Sequence, residues 1–140
     1  MAGTPKAVVT ASGPIVCVID DDDQVRATLA EILRRSGYHV VLASDGDMGL
    51  EVVEQSGAAI VVTDIVMPNR EGIETIREIR RSFPAVRILA ISGGGSKSSS
   101  TDFLELAFAL GADDVLAKPF RMAELLHKVS KLTPPRAAVG

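Results

Sequence analysis

Short apolar runs recur along the chain and alternate with longer stretches whose apolar positions fall three or four residues apart. The runs are Ile15–Ile19, His39–Ala43, Ala59–Thr63, Arg87–Ile91 and Val115–Ala117. They are rich in Val and Ile and mostly lack polar alternation, which is the pattern of strands buried on both faces. Between them, Val25, Leu29, Ile32 and Leu33 form one face of a first helix, which Gly37 stops at its C′ position. Leu50 and Val53 mark a short second helix followed by Gly57. Ile73, Ile76, Ile79 and Phe83 line a third, ended by Pro84. Phe103 to Leu110 forms a fourth, closed by Gly111, and Met122, Leu125, Leu126 and Val129 line a fifth, terminated by Pro134-Pro135. Five β units, each followed by a helix, predict an α/β fold with a parallel sheet covered by helices on both faces.

Length and composition agree. At 140 residues and 46% hydrophobic, the chain is long enough for one domain with a real core and too apolar for disorder. A (βα)₈ barrel needs about 250 residues. The expected fold is therefore a doubly wound five-stranded parallel sheet of order 2-1-3-4-5, flavodoxin-like (βα)₅. Residues 14–132 are expected to form the domain, flanked by flexible tails at 1–13 and 133–140, with no linker to a separate output module. The formal charge of −3 and pI near 5.3 give no basic excess for nucleic acid. Cys17, the single cysteine, sits inside the first apolar run and excludes an internal disulfide or a Cys-rich zinc site. No run approaches the ~18 apolar residues of a membrane span, and residues 1–13 lack a signal-peptide pattern. A cytoplasmic location is expected.

The chemistry collects at the ends of the apolar runs. Strand 1 is followed by Asp20-Asp21-Asp22-Asp23, strand 3 by Asp64, strand 4 by Ser92-Gly93-Gly94-Gly95 and strand 5 by Lys118-Pro119. In open α/β sheets, ligands bind at the carboxyl ends of the strands where the strand order reverses, here between strands 1 and 3. Asp20, Asp21 and Asp64 would meet there. Three such carboxylates repel unless some stay protonated or a cation sits among them. Mg²⁺ suits the set, with Mn²⁺ as an alternative: it accepts one or two carboxylates, keeps waters and favours sites that also hold phosphate. A carboxylate can attack phosphorus, and the step then needs charge neutralisation and alignment. Lys118 supplies a mobile cation and Ser92 a hydroxyl. Taken singly, an aspartate run is usually a solvated turn, and Asp23 is expected to cap the first helix. The joint pattern carries the reading.

These segments closely resemble the receiver domain of two-component response regulators. The resemblance covers about Ile15 to Leu132. It rests on Val18-Ile19-Asp20-Asp21-Asp22 with Arg26, on Thr63-Asp64-Ile65-Val66-Met67-Pro68 with Gly72, on Ile91-Ser92-Gly93, and on Gly111-Ala112-Asp113-Asp114 leading to Lys118-Pro119-Phe120. It implies that Asp64 is the phosphoacceptor, Asp21 a direct metal ligand and Asp20 one acting largely through water. It further implies the backbone carbonyl of Val66 as a third protein ligand, Ser92 as the switch hydroxyl, Lys118 as the phosphate-binding lysine and a cis bond before Pro119. The implied phosphodonor is a phosphohistidine on a sensor histidine kinase or histidine phosphotransfer protein. The four consecutive aspartates leave a register question: ending the strand at Ile19 makes Asp20 and Asp21 the pocket pair, and the alternative is Asp21 and Asp22.

Two features depart from the family pattern. Val115 stands where an aromatic switch residue is common, three positions before the lysine. The loop Gly93 to Ser100 is unusually rich in Gly and Ser and is expected to be mobile. Phe103, Ala107 and Leu110 make one face of the fourth helix, and Leu104 with Phe108 another, so helix 4, strand 5 and helix 5 are expected to form the output surface. A monomer or weak dimer is expected. His39 opens strand 2, and His127 on helix 5 reads as a surface position rather than a phosphotransfer histidine. The competing reading is an enzyme, a Mg²⁺-dependent phosphohydrolase using Asp64 or Asp20. Asp22, two residues after Asp20, suits it, whereas the Lys-Pro motif and the chain length disfavour it. A scaffold that is never phosphorylated is a third reading, which the intact acidic, serine and lysine positions oppose.

Overall fold

Among the described residues, ten elements alternate strictly: β1 (Ile15–Ile19), α1 (Asp23–Arg35), β2 (His39–Ala43), α2 (Gly46–Ser56), β3 (Ile60–Asp64), α3 (Glu71–Ser82), β4 (Arg87–Ser92), α4 (Ser100–Leu110), β5 (Asp114–Ala117) and α5 (Met122–Leu132). The structure, a computed structural model, describes residues 14–65, 71–92 and 100–134, with backbone alone at 71 and 100–104. All strand pairs are parallel and the order is β2-β1-β3-β4-β5, as the alternation of apolar runs and amphipathic stretches predicts.

The period of two along each strand divides the core. Cys17, Ile19, Val61, Ile88 and Ala90 face Val53 of α2, Ile76 and Ile79 of α3 and Ala107 of α4. Val16, Val18, Ile60, Val62, Leu89 and Ile91 face Leu29 and Leu33 of α1 and Leu125 and Val129 of α5. Cys17 belongs to this packing. Burial pushes its thiol up to about 12, so it stays protonated and inert at neutral pH.

Three strands differ in their bounds from the sequence reading, and α4 starts at Ser100 and not at Phe103. β3 runs one residue later, β4 includes Ser92, and β5 begins at Asp114. In each case a polar residue stays in the ladder: Asp64 lies opposite Ile91, Ser92 opposite Ala117 and Asp114 opposite Leu89. α2 is also longer than its two apolar markers suggest, because Asp45 caps it by accepting the Met48 N–H at 2.8 Å. At the start of α1 the cap is Asp22, not Asp23: its carboxylate accepts from the N–H groups of Gln24 (2.9 Å) and Val25 (3.1 Å). Gly37 (φ 99°) follows the α1 cap as expected.

Opposite the carboxyl ends of the strands, Arg80 of α3 uses all five of its N–H donors. Nε and Nη2 donate to Gly111 O (3.1 and 2.8 Å), Nη1 to Pro84 O (2.9 Å) and Val86 O (2.8 Å), and Nη2 also to Asp113 Oδ2 (2.7 Å). Asp113 Oδ2 also accepts the Ile88 N–H at 2.8 Å. This closes one end of the sheet and ties the C-terminal end of α4 to α3 and β4.

Candidate functional site

The parallel register aligns the carboxyl ends of β1, β3, β4 and β5. Asp20 directly follows β1, Asp64 ends β3, Ser92 ends β4 and Lys118 directly follows β5. Asp20, Asp64 and Ser92 are all buried, at 2%, 7% and 1% exposure. Lys118 reaches into the same crevice, its Nζ lying 3.2 Å from Asp64 Oδ2. The Lys118–Pro119 peptide is cis, as the resemblance implies.

Asp20 is held on several sides. Its N–H extends the β1–β2 ladder to Ala43 O (3.2 Å) and its Oδ1 accepts the Asp22 N–H (2.9 Å). Asp20 Oδ2 and Ser92 Oγ, by contrast, are buried with no hydrogen-bond partner among the described residues. Burial raises the Asp20 carboxyl above the ordinary carboxylate range. The Asp22 N–H opposes the shift, the Asp64 charge adds to it, Lys118 opposes it, and Asp21 adds to it. Asp21, Asp64 and Lys118 therefore all act electrostatically on Asp20. Asp21 is exposed, and Asp22 is spent on capping α1. The buried carboxylate of the run is Asp20, which fits the Asp20–Asp21 register.

Val66 and the loop from Gly93 to residue 99 lie outside the described residues, as does the side chain of Leu104. Among the described residues, no group of three or more His, Cys, Asp or Glu side chains is arranged to hold a metal. A cation here would take few side-chain ligands and fill the rest of its sphere from backbone and water, which is how Mg²⁺ binds. Two buried polar atoms without partners fit such a site: a carboxylate oxygen suited to a hard cation and a hydroxyl suited to a phosphate oxygen.

The start of α3 is pressed against the strand that carries Asp64. A Cβ at Gly72 would stand 2.8 Å from Asp64 O, 2.8 Å from Ile65 Cα and 2.9 Å from Ile65 O. All three are backbone atoms and cannot swing aside. Gly72→Ala should therefore cost about 2 kcal/mol in chemical denaturation. An unchanged midpoint would show that α3 can shift freely from the β3 end.

Val115 is half-buried against the core and pairs with Ala90. On α4, Phe108 is 50% exposed and Leu106 37%, whereas Ala107 is buried. Leu106 went unremarked in the sequence because by the helical period it falls beyond the Phe103–Ala107–Leu110 face, on the side away from Leu104 and Phe108, and so belonged to neither face read there. A groove of about 1070 Å³ runs beside the site between α1 and the β5–α5 connection, with Val25, Leu29, Pro119, Phe120 and Met122 on its walls and Lys118 at the edge shared with the site. No helix among the described residues is long and apolar enough to cross a membrane.

The family model of the response regulator receiver domain matches residues 16–130. The chain belongs to that family. A curated relative, the response regulator MprA of Mycobacterium leprae, is 36% identical over 117 residues, covering 84% of this chain and 50% of that protein. The chain thus spans about half the length of the curated relatives it matches. A receiver domain from Clostridium thermocellum superposes with a TM-score of 0.76 at 26% identity, over 85% of this chain and 93% of that one. A CheY-like receiver domain from Methanospirillum hungatei gives 0.74 at 27%, over 86% and 94%. Receiver domains of this family generally bind Mg²⁺ and serve two-component signalling through contacts with histidine kinases and downstream proteins.

Proposed function

We propose that this receiver domain is a phosphorylation switch, or a relay intermediate, that accepts a phosphoryl group on Asp64 from a phosphohistidine. The carrying observation is the Lys118 Nζ–Asp64 Oδ2 contact at 3.2 Å, with Asp20 Oδ2 and Ser92 Oγ buried beside it and unpartnered among the described residues. In this reading a carboxylate oxygen of Asp64 attacks phosphorus. The new O–P bond forms as the N–P bond to the donor imidazole breaks, and the imidazole leaves with the bonding pair and takes up a proton. Mg²⁺ or Mn²⁺ held by Asp20, Asp21, Asp64 and the Val66 carbonyl would neutralise charge on the phosphoryl oxygens when bound. Lys118 moves from pairing with the carboxylate to pairing with a phosphoryl oxygen, and Ser92 Oγ donates to another.

Beyond this self-catalysed acceptance and eventual hydrolysis the domain turns over no substrate, so it is not an enzyme in the usual sense. The groove edged by Lys118 suits the donor protein, since a docked helix there delivers its histidine to Asp64. The half-exposed Phe108 on α4, with β5 and α5, suits a downstream protein partner. The site and groove need no membrane or nucleic acid, and a cytoplasmic location accords with the reading.

The test is incubation with a small phosphodonor and Mg²⁺, followed by intact-mass measurement. The wild type should gain one phosphoryl group, labile to base, and Asp64→Asn should gain none. A mass gain that survives Asp64→Asn would overturn the assignment, and sustained turnover of exogenous phosphoesters would favour the phosphohydrolase.

A further inference from the structure

We infer that Arg26 is a positioning residue for the cation site: its guanidinium grips the peptide unit that joins Asp20 to Asp21 and so sets how both carboxylates face the crevice. The inference rests on the reading of that crevice as a divalent-cation site.

The strand geometry creates the need. The N–H of Asp20 still belongs to the ladder, donating to Ala43 O at 3.2 Å. Its carbonyl lies past the last β1 residue, Ile19, where the ladder stops, and a buried carbonyl requires a donor. Arg26 Nη1 supplies it at 2.7 Å. The same guanidinium pairs through Nη2 with Asp23 Oδ1 at 2.5 Å. An ordinary i,i+3 pair on a helix surface leaves its guanidinium in water. Here Asp23 is 87% exposed but Arg26 only 17%, because the arginine is turned inward onto the Asp20 carbonyl.

The consequence follows from planarity. Fixing the Asp20 oxygen fixes the whole Asp20–Asp21 peptide plane, and with it the position of the Asp21 Cα. On the Asp20 side, the Asp22 N–H holds Oδ1 and leaves Oδ2 without a partner among the described residues. Asp21 is exposed, so its side-chain direction depends on the backbone that Arg26 holds.

Positioning and simple electrostatics predict opposite signs. A guanidinium beside a bound divalent cation repels it, so if Arg26 mattered only as a charge, removing it would tighten binding. As a positioning residue, its loss scatters the two carboxylates and weakens binding, in line with the 10–100-fold typical of groups that orient metal ligands. The experiment is calorimetric titration of Mg²⁺ into the full chain, in wild type, Arg26→Lys and Arg26→Ala, well below melting temperatures measured in metal-free buffer. Arg26→Ala should weaken Mg²⁺ about tenfold or more, and Arg26→Lys, which can still donate to the Asp20 carbonyl, should recover most of the loss. A role in folding alone shifts the melting temperature and leaves the affinity of the folded protein unmoved. Binding by Arg26→Ala as tight as wild type, or tighter, overturns the inference. If Arg26→Ala does not fold, Arg26→Met, which keeps the apolar stem and has no donor for the Asp20 carbonyl, decides by the same sign. Failure of the wild type to bind Mg²⁺ removes the cation site and the inference together, so the two failures are told apart.

Discussion

Replacing Lys118 with alanine should slow phosphorylation of Asp64 by about 10²–10³-fold, the usual effect of removing one preorganised charge-stabilising donor from a reaction centre. Lys118 Nζ sits 3.2 Å from Asp64 Oδ2 with its side chain one-third exposed, so it lies beside the carboxylate proposed to attack phosphorus yet can follow charge as it moves outward. Its partner before the reaction is a carboxylate and afterwards a phosphoryl oxygen of greater charge, so its interaction strengthens as the reaction proceeds. That is the condition for raising a rate rather than only a ground-state affinity. The same substitution should leave Mg²⁺ affinity unchanged or raised, because a cation competing for the same carboxylates is gone. Single-turnover labelling with a small phosphodonor at saturating Mg²⁺ measures the first effect and calorimetric titration the second. A rate loss below tenfold would return Lys118 to the status of a surface lysine before a proline.

The pairing of Lys118 with Asp64 could be read in the sequence because each element of a parallel α/β sheet has its own marker. β1 and β2 match their apolar runs residue for residue, and the ends of the strands fall where the polar residues begin. Where the marker was polarity itself, it misplaced the boundary: Asp64, Ser92 and Asp114 look like turn residues and lie in the ladder. The same weakness put the α1 cap on Asp23. Four identical residues in a row carry no internal signal, and only the backbone shows that Asp22 does the capping. α2 looked short because its first turn contributes small residues. Gly46 and Gly49 are buried there, and a Cβ on them would meet Thr75 Oγ1 and Ile19 Cδ1 at 2.0 and 2.5 Å. Close packing of that kind leaves no hydrophobic period to read.

The arginines show the limit most clearly. Arg26 and Arg80 lie on the polar side of the helical pattern, where a long cationic residue reads as a solvated face. Their partners are mostly backbone carbonyls, of Asp20 for one and of Pro84, Val86 and Gly111 for the other. A residue type can announce a side-chain partner of opposite charge, but no residue type announces a carbonyl left over at a strand end or a turn. The two arginines brace opposite ends of the sheet, one at the Asp20–Asp21 turn and one beneath β4 and β5. The α4–β5 region that carries the exposed Phe108 is thus tied down at its Gly111 end, while its other end leads back toward Ser92.

Asp20→Asn should separate binding from stability in opposite directions. The Asp20 carboxyl is buried, has one oxygen without a partner among the described residues, and is pushed above the ordinary carboxylate range chiefly by burial. Its folded-state pKa thus exceeds its unfolded one, so the native state holds this proton more tightly than the unfolded chain. The carboxyl costs no stability below the unfolded value, near 3.8. The cost appears as pH rises from there through the raised folded value, and is full at neutral pH. Asparagine cannot ionise and keeps the acceptor for the Asp22 N–H. In metal-free buffer at neutral pH the variant should therefore be more stable than wild type by about 1 kcal/mol. That advantage should shrink as pH falls through the folded pKa and vanish below the unfolded one, with the acid sensitivity of other carboxylates cancelling in the comparison. Adding Mg²⁺ should reverse the order, since a ligand stabilises the state that binds it by RT ln(1 + [L]/Kd) and the substitution should weaken Mg²⁺ about 10–100-fold. Thermal melts of both proteins from pH 3 to 8, with and without saturating Mg²⁺, test every part. An Asp20→Asn protein less stable than wild type at neutral pH without metal would show that the buried carboxylate is satisfied by a partner and is not held ready for a cation.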